Sequence, residues 1–407
     1  MPPGRSDSRA RGTLLMAALA AGWLGVLAGI AIHQPLWGDE VHYVATVRTF
    51  GRDLSLETLR TYPGEMAPPL PFGVYAGWGW LVGFELARLR VLSLLIAFAT
   101  VMAVHALGRR VLHDEGGAMV AALFFLLHPY TVGLSVFVFN DMMAILFAVL
   151  LALGVVTRRP RLIALSSAAG LMARQYLAFL TAAAAVYHAV RWARDRRSYD
   201  LAVLGGLAIS CLPLVAMFAL WHGLGPASTT RDLYLTGHLS FHPASLVLYV
   251  TQLFTYLWPL LLWRPAWWAA HSPRWWGCVG AASILYWLAP VRPAPPQVAV
   301  GTDTVGFLHR AVRATVGRLG SSAPDVFFWL AFGLGVAVLA AIARDVTLRR
   351  PARWPDARTF LGLAVLSFLA VMPFSYMHWE KYFMPVLPLV SVLVLAEGAE
   401  DAAGAEV

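Results

Sequence analysis

Two adjacent carboxylates stand just after the first apolar run of the chain, in Trp37-Gly38-Asp39-Glu40-Val41-His42-Tyr43. A further acid, Asp141, follows Asn140 at the junction of two later apolar runs. A carboxylate so placed can take a proton from a hydroxyl or offer oxygen to a hard divalent cation. It can equally cap a helix: Asp39 an amphipathic surface helix running to about Phe50, Asp141 the next apolar helix. Two cations are placed as unusually. Arg174 separates two short apolar runs, where an ionisable residue is a functional candidate by default, the alternative being that the chain simply turns there at the membrane surface. Lys381 is the only lysine among 407 residues, with Glu380 beside it and His378 one helical turn away. Its alternative role is that of a cationic end residue whose stem snorkels to the surface.

The elements that position these residues follow from composition. Hydrophobic residues make up 59% of the chain and charged residues 13%, against roughly 45–50% and 25% in soluble domains. A soluble globular domain and a disordered chain are both excluded. The net charge of +9 sits in short clusters between apolar runs, so it is loop charge and no nucleic-acid partner is expected. Cys211 and Cys278 lie in apolar stretches and build no disulfide framework. The spacing predicts an all-α polytopic membrane protein, residues 1–407 forming one transmembrane domain of about 12 helices. Spans are expected at about 13–32, 90–108, 117–138, 142–157, 161–174, 176–191, 200–221, 243–262, 275–291, 325–343, 359–376 and 382–396.

Arginines cluster at 109–110, 158–161, 191–197, 264–274 and 344–358, and the positive-inside rule then puts both termini in the cytoplasm. Three loops face the other side: 33–88, a large first loop carrying short surface helices, 222–242, and 292–324. The last places Val305, Leu308, Val312, Val316 and Leu319 at helical spacing among Arg310, Arg313 and Arg318. That pattern predicts a helix resting on the outer surface, bound to anionic lipid or serving as a lid. His238 and His242 have ligand-like spacing, but Gly237, Pro243 and the lack of a third ligand argue against zinc. His128-Pro129 predicts a kink.

Together these motifs resemble the GT-C superfamily, integral-membrane glycosyltransferases that use polyprenyl-phosphate sugars, among them the protein O-mannosyltransferases and the aminoarabinose transferases of lipid A. The matching positions are Asp39-Glu40, Pro68-Pro69-Leu70, Arg88-Leu89-Arg90, Gly108-Arg109-Arg110, Asn140-Asp141, Arg174, and Glu380-Lys381-Tyr382 with Pro385. They cover about the first 200 residues and, more loosely, the last 30. Arg174-Gln175 is also similar to the glucosyltransferases that complete the dolichol-linked oligosaccharide. Relatives of the aminoarabinose-transferase kind often carry a lysine before the Pro-Pro, where this chain has Glu65-Met66-Ala67.

The resemblance implies hexosyl or pentosyl transfer, with inversion, from a polyprenyl-phosphate-linked sugar to a hydroxyl of a lipid, glycan or protein. Asp39 would be the base, Glu40 would orient it or bind the sugar, and Asp141 would position the acceptor or share a metal ion. Lys381, Arg174 and His378 would hold the departing phosphate. Whether a divalent cation takes part is open, because oxygen donors suit several metals. An Arg- and Ala-rich composition points to a GC-rich genome, hence a bacterial inner membrane with a periplasmic site; an endoplasmic-reticulum origin would turn the site to the lumen. The rival readings are a polytopic transporter, whose polar residues would lie at the bilayer midplane, and a non-catalytic lipid-binding membrane protein.

Overall fold

The computed structural model describes residues 4–62, 67–226, 241–262, 268, 272–291, 306–348, 356–375 and 379–404. Glu65, Met66, His238, Val305 and His378 lie outside them. Every regular element among the described residues is a helix, and the chain divides into two compact units, Met1–Tyr234 and Leu235–Val407.

The first unit runs α1 (Gly4–Ala31), α2 (Glu40–Arg52), α3 (Leu56–Thr61), α4 (Leu70–Val82), α5 (Leu86–Leu112), α6 (Glu115–Leu127), α7 (Pro129–Val136), α8 (Asn140–Val156), α9 (Pro160–Ala173), α10 (Ala178–Asp195) and α11 (Ser198–Trp221). The second runs α12 (Pro243–Thr255), α13 (Trp258–Leu262), α14 (Pro273–Ser283), α15 (Phe307–Thr315), α16 (Ala323–Leu348), α17 (Ala357–Val371) and α18 (Leu387–Gly404).

The protein is an integral membrane protein. Among the described residues five helices are long and apolar enough to cross a bilayer: Ala10–Ala31, Leu86–Leu112, Ser198–Trp221, Ala323–Thr347 and Ala357–Phe374. The pair α6 and α7 adds a sixth crossing if it counts as one span, bent by 67°. That bend falls at His128-Pro129, where proline suits the first turn of a new helix and His128 Nδ1 accepts from the Tyr130 N–H at 3.3 Å. Four shorter apolar helices, Asn140–Val156, Pro160–Ala173, Pro243–Thr255 and Leu387–Ala396, fall on other runs where spans are expected.

Burial separates these helices by role. Leu14, Val26 and Ile30 on α1, and Ile209, Leu212 and Val215 on α11, are exposed apolar residues suited to lipid. By contrast α8 is buried over most of its surface, Asn140 and Asp141 included, and packs against α5 and α9. Small residues permit that closeness, as is usual where lipid supplies no hydrophobic drive. A Cβ on Gly154 would stand 3.1 Å from the Ile163 backbone nitrogen, so the start of α9 depends on that glycine. In the second unit a Cβ on Gly335 would collide with the Val250 carbonyl, which fixes α16 against α12.

Local chemistry sets the helix ends. Asp114 caps α6, accepting from the Gly116 and Gly117 N–H groups. Arg109 and Arg110 complement the dipole in the last turn of α5. Arg109 also donates to Thr13 Oγ1 at 2.7 Å and pairs with Glu115 at 3.1 Å, so the basic end of α5 is tied to α1 and α6.

Candidate active site

Helix α2 leaves the first span with Asp39 at its N-cap position, yet the Asp39 carboxylate makes no capping hydrogen bond. Asp39 is partly exposed and Glu40 is buried. Successive helical residues point about 100° apart, so the two acids face different surroundings.

Glu40 faces α5. Its Oε1 accepts from Arg90 Nε at 2.9 Å and its Oε2 from Arg90 Nη2 at 2.6 Å, a two-pronged pair with both side chains fully buried. Oε1 also accepts from the Val138 N–H at 2.9 Å. Arg90 Nη1 donates to the carbonyls of Ala31 (3.0 Å) and Ile32 (3.2 Å), and its Nη2 to that of Pro35 (3.1 Å). One ion pair thus ties the end of α1, the start of α2 and the entry to α8. Nearby Tyr75, on α4, shares a 2.7 Å hydrogen bond with Ser93. Burial, with the Glu40 charge adding to it, pushes the Tyr75 phenol above its ordinary range, so it stays protonated.

Tyr43 lies four residues beyond Asp39, on the same face of α2. Its hydroxyl accepts from Arg174 Nη2 at 2.7 Å. The same nitrogen stands 3.1 Å from both carboxylate oxygens of Asp141, and the guanidinium lies 5.8 Å from the Tyr43 ring centre. Arg174 reaches this point because α9 ends there: it is the extended residue between α9 and a single 3-10 turn, Gln175–Leu177, that leads into α10. Asp141 is no cap, since that position belongs to Phe139; it sits in the first turn of α8, where the helix dipole favours an anion. Beside it Asn140 Nδ2 is buried and makes no hydrogen bond among the described residues. The Pro68-Pro69-Leu70 motif also has a structural part here: it starts α4, which seats Phe72 against Tyr43 with ring centres 6.1 Å apart.

The structure therefore joins Asp141 and Arg174, and places Asp39 one helical turn from the tyrosine that links to them. Two residues that act here, Tyr43 and Arg90, were given no role by the sequence. Tyr43 has the signal of sharing a helix face with Asp39, and Arg90 is a charge in an apolar run, the same signal that singles out Arg174.

In the second unit Lys381 is on a 3-10 turn, Glu380–Phe383. It is buried, and its Nζ lies 3.9 Å from the Trp379 ring centre. The Glu380 carboxylate accepts from the Leu308 N–H (2.8 Å), the His309 N–H (2.8 Å) and His309 Nδ1 (2.6 Å). His378 lies outside the described residues. No group of three or more His, Cys, Asp or Glu side chains is gathered among the described residues.

No protein-family model matches the chain, and no curated protein does. Two solved structures are similar in fold. ArnT from Cupriavidus metallidurans bound to undecaprenyl phosphate matches with a TM-score of 0.45 at 15% identity, over 97% of this chain and 79% of that one. The Archaeoglobus fulgidus oligosaccharyltransferase in the apo form matches with a TM-score of 0.46 at 14% identity, over 97% of this chain and 51% of its own, so the chain spans about half its length.

Proposed function

We propose that this protein is a GT-C glycosyltransferase that moves a sugar from a polyprenyl-phosphate donor to a hydroxyl on a lipid, glycan or protein, on the extracytoplasmic face of a bacterial inner membrane. The observation that carries the reading is the contrast on α2: Glu40 is buried and bonded to Arg90 and the Val138 N–H, while Asp39 is partly exposed and one turn from the Tyr43–Arg174–Asp141 group.

Asp39 takes the proton of the acceptor hydroxyl, and that oxygen bonds to the anomeric carbon on the face opposite the phosphate. The carbon–oxygen bond to phosphate breaks, the phosphate leaves with the electron pair, and the configuration inverts. Arg174 offers a cation to the developing negative charge, held in place by Asp141 and Tyr43. Asn140, with its unsatisfied amide, is suited to bind a sugar or acceptor hydroxyl. Glu40 is a positioning residue, keeping α2 in place through Arg90. Lys381 is assigned to the donor phosphate as the one lysine of the chain.

The test begins with native mass spectrometry of the purified protein, wild type beside Lys381→Ala and Arg174→Gln. Retained polyprenyl phosphate or its glycosylated form, weakened by either substitution, supports the donor assignment. Retention of bulk phospholipid alone overturns it and favours a transporter or a non-catalytic membrane protein. Asp39→Asn should keep the lipid and stop its consumption when membrane extract is added as a source of acceptor; undiminished consumption would remove Asp39 as the base.

A further inference from the structure

The region after residue 305 forms α15 and then a 3-10 turn, Val316–Leu319. Its inward side agrees with the spacing, since Val312 is buried and Leu308 and Val316 are half-buried. Leu319 does not: it is 84% exposed. A 3-10 turn advances each residue by more than an α-helix does, so the tightening after Thr315 carries Leu319 out of the inward stripe. His309 takes a place on the buried side instead, its ring stacked 3.9 Å from that of Phe328.

Two contacts fix the underside of this helix. Glu380 binds the first-turn N–H groups and His309, as described above, and Arg313 pairs with Asp325 at 2.8 Å. Asp325 lies in the first turn of the spanning helix α16. In the same turns Val326, Phe327 and Leu330 are exposed and apolar, a lipid-facing surface. A charged pair at the very end of such a surface marks the level where hydrocarbon gives way to headgroups.

At that level the exposed residues of α15 include Phe307, Arg310 and Ala314, and those of the 3-10 turn after it are Arg318 and Leu319. Together they offer two guanidinium groups, two large exposed apolar side chains and no acid.

We propose that α15 is a docking helix for anionic phospholipid headgroups of the adjoining leaflet. Arg310 and Arg318 contact the phosphates, and Phe307 and Leu319 enter the acyl boundary. Glu380 is a positioning residue for it, holding the helix at the depth where both contacts are made. The proposal is independent of the transferase reading.

The test is hydrogen exchange of the full chain in nanodiscs of phosphatidylcholine, with and without phosphatidylglycerol. In the wild type the amides of residues 307–319 should exchange several-fold more slowly when phosphatidylglycerol is present. Arg310→Gln with Arg318→Gln should abolish that difference and leave the rate in phosphatidylcholine unchanged. Equal wild-type rates in the two lipids, or a difference that survives the double substitution, would overturn the proposal. So would equal protection by soluble glycerol phosphate added to phosphatidylcholine discs, which would make the site one for a free anion. Glu380→Gln should speed exchange at Leu308 and His309 in both lipids; unchanged rates there would remove its positioning role.

Discussion

Two of the buried acid–arginine pairs in the first unit, Glu40–Arg90 and Asp141–Arg174, differ in what they join. In the Glu40–Arg90 pair two guanidinium nitrogens meet two carboxylate oxygens, and the remaining donors are taken up by backbone carbonyls of residues 31–35. In the Asp141–Arg174 pair Arg174 Nη2 donates to Asp141 Oδ2 and to the Tyr43 hydroxyl, with Asp141 Oδ1 also 3.1 Å away. The first pair closes a joint between three chain segments and leaves no room for another partner. The second is the open one: in the proposed mechanism it is the pair that meets an incoming anion.

Removing one partner from the closed pair should have the largest effect. Arg90→Met leaves Glu40 buried and uncompensated, which should cost about 3–5 kcal/mol of stability. Thermal unfolding in detergent followed by tryptophan fluorescence measures it, and a loss below about 1 kcal/mol would end the distinction between the pairs. Arg90→Lys should rescue little, because an ammonium cannot match the fork of bonds to Glu40 and to the carbonyls of Ala31, Ile32, Gln34 and Pro35.

Asp39→Asn should lower transfer about 10²–10⁴-fold, the range for a lost general base, with the melting temperature unchanged. If activity and stability fell together, Asp39 would join Glu40 as a structural acid. For the open pair, a double-mutant cycle of Asp141→Asn and Arg174→Gln should show a coupling of about 0.5–3 kcal/mol in stability. A coupling equal to that of the closed pair would erase the contrast.

Tyr43→Phe removes one hydrogen bond to Arg174 and keeps the ring against Phe72, so stability should fall by about 1 kcal/mol. Transfer should fall more than stability if Tyr43 orients Arg174. The smallest effect belongs to Asp53, on the exposed surface. Hydrogen bonds from Thr58 and Ser55 hold its carboxyl below the usual range. Its folded pKa is thus below the unfolded one, so its contribution is present at neutral pH and is lost as pH falls through the folded value. Asp53→Asn should flatten that acid limb of an unfolding titration slightly and leave activity unchanged.

Much of the site was legible because apolar sequence makes polar residues conspicuous. Asp39, Asp141 and Arg174 stand out by type and place alone, and His128-Pro129 announces the bend between α6 and α7. Arg90 was named only within the Arg88-Leu89-Arg90 motif and given no role, because a charge at the edge of a span attracts less suspicion than one between two spans. Glu380 shows a different limit. Its sequence neighbour Lys381 suggests a pair, but its carboxylate is spent on a helix start 71 residues away. Chain adjacency cannot reveal a competitor that arrives through folding.

The sequence by itself determined that this chain crosses a membrane, where its helices break, and which few residues could carry chemistry, because these follow from hydrophobicity and backbone preferences that act locally. It could not tell Asp39 from Glu40, which are neighbours of nearly equal chemistry. Only the fold, which brings Arg90 of α5 to the start of α2, separates them. Placing Arg90 beneath one of two side chains about 100° apart on a helix buries and pairs Glu40, and leaves Asp39 on the partly exposed side.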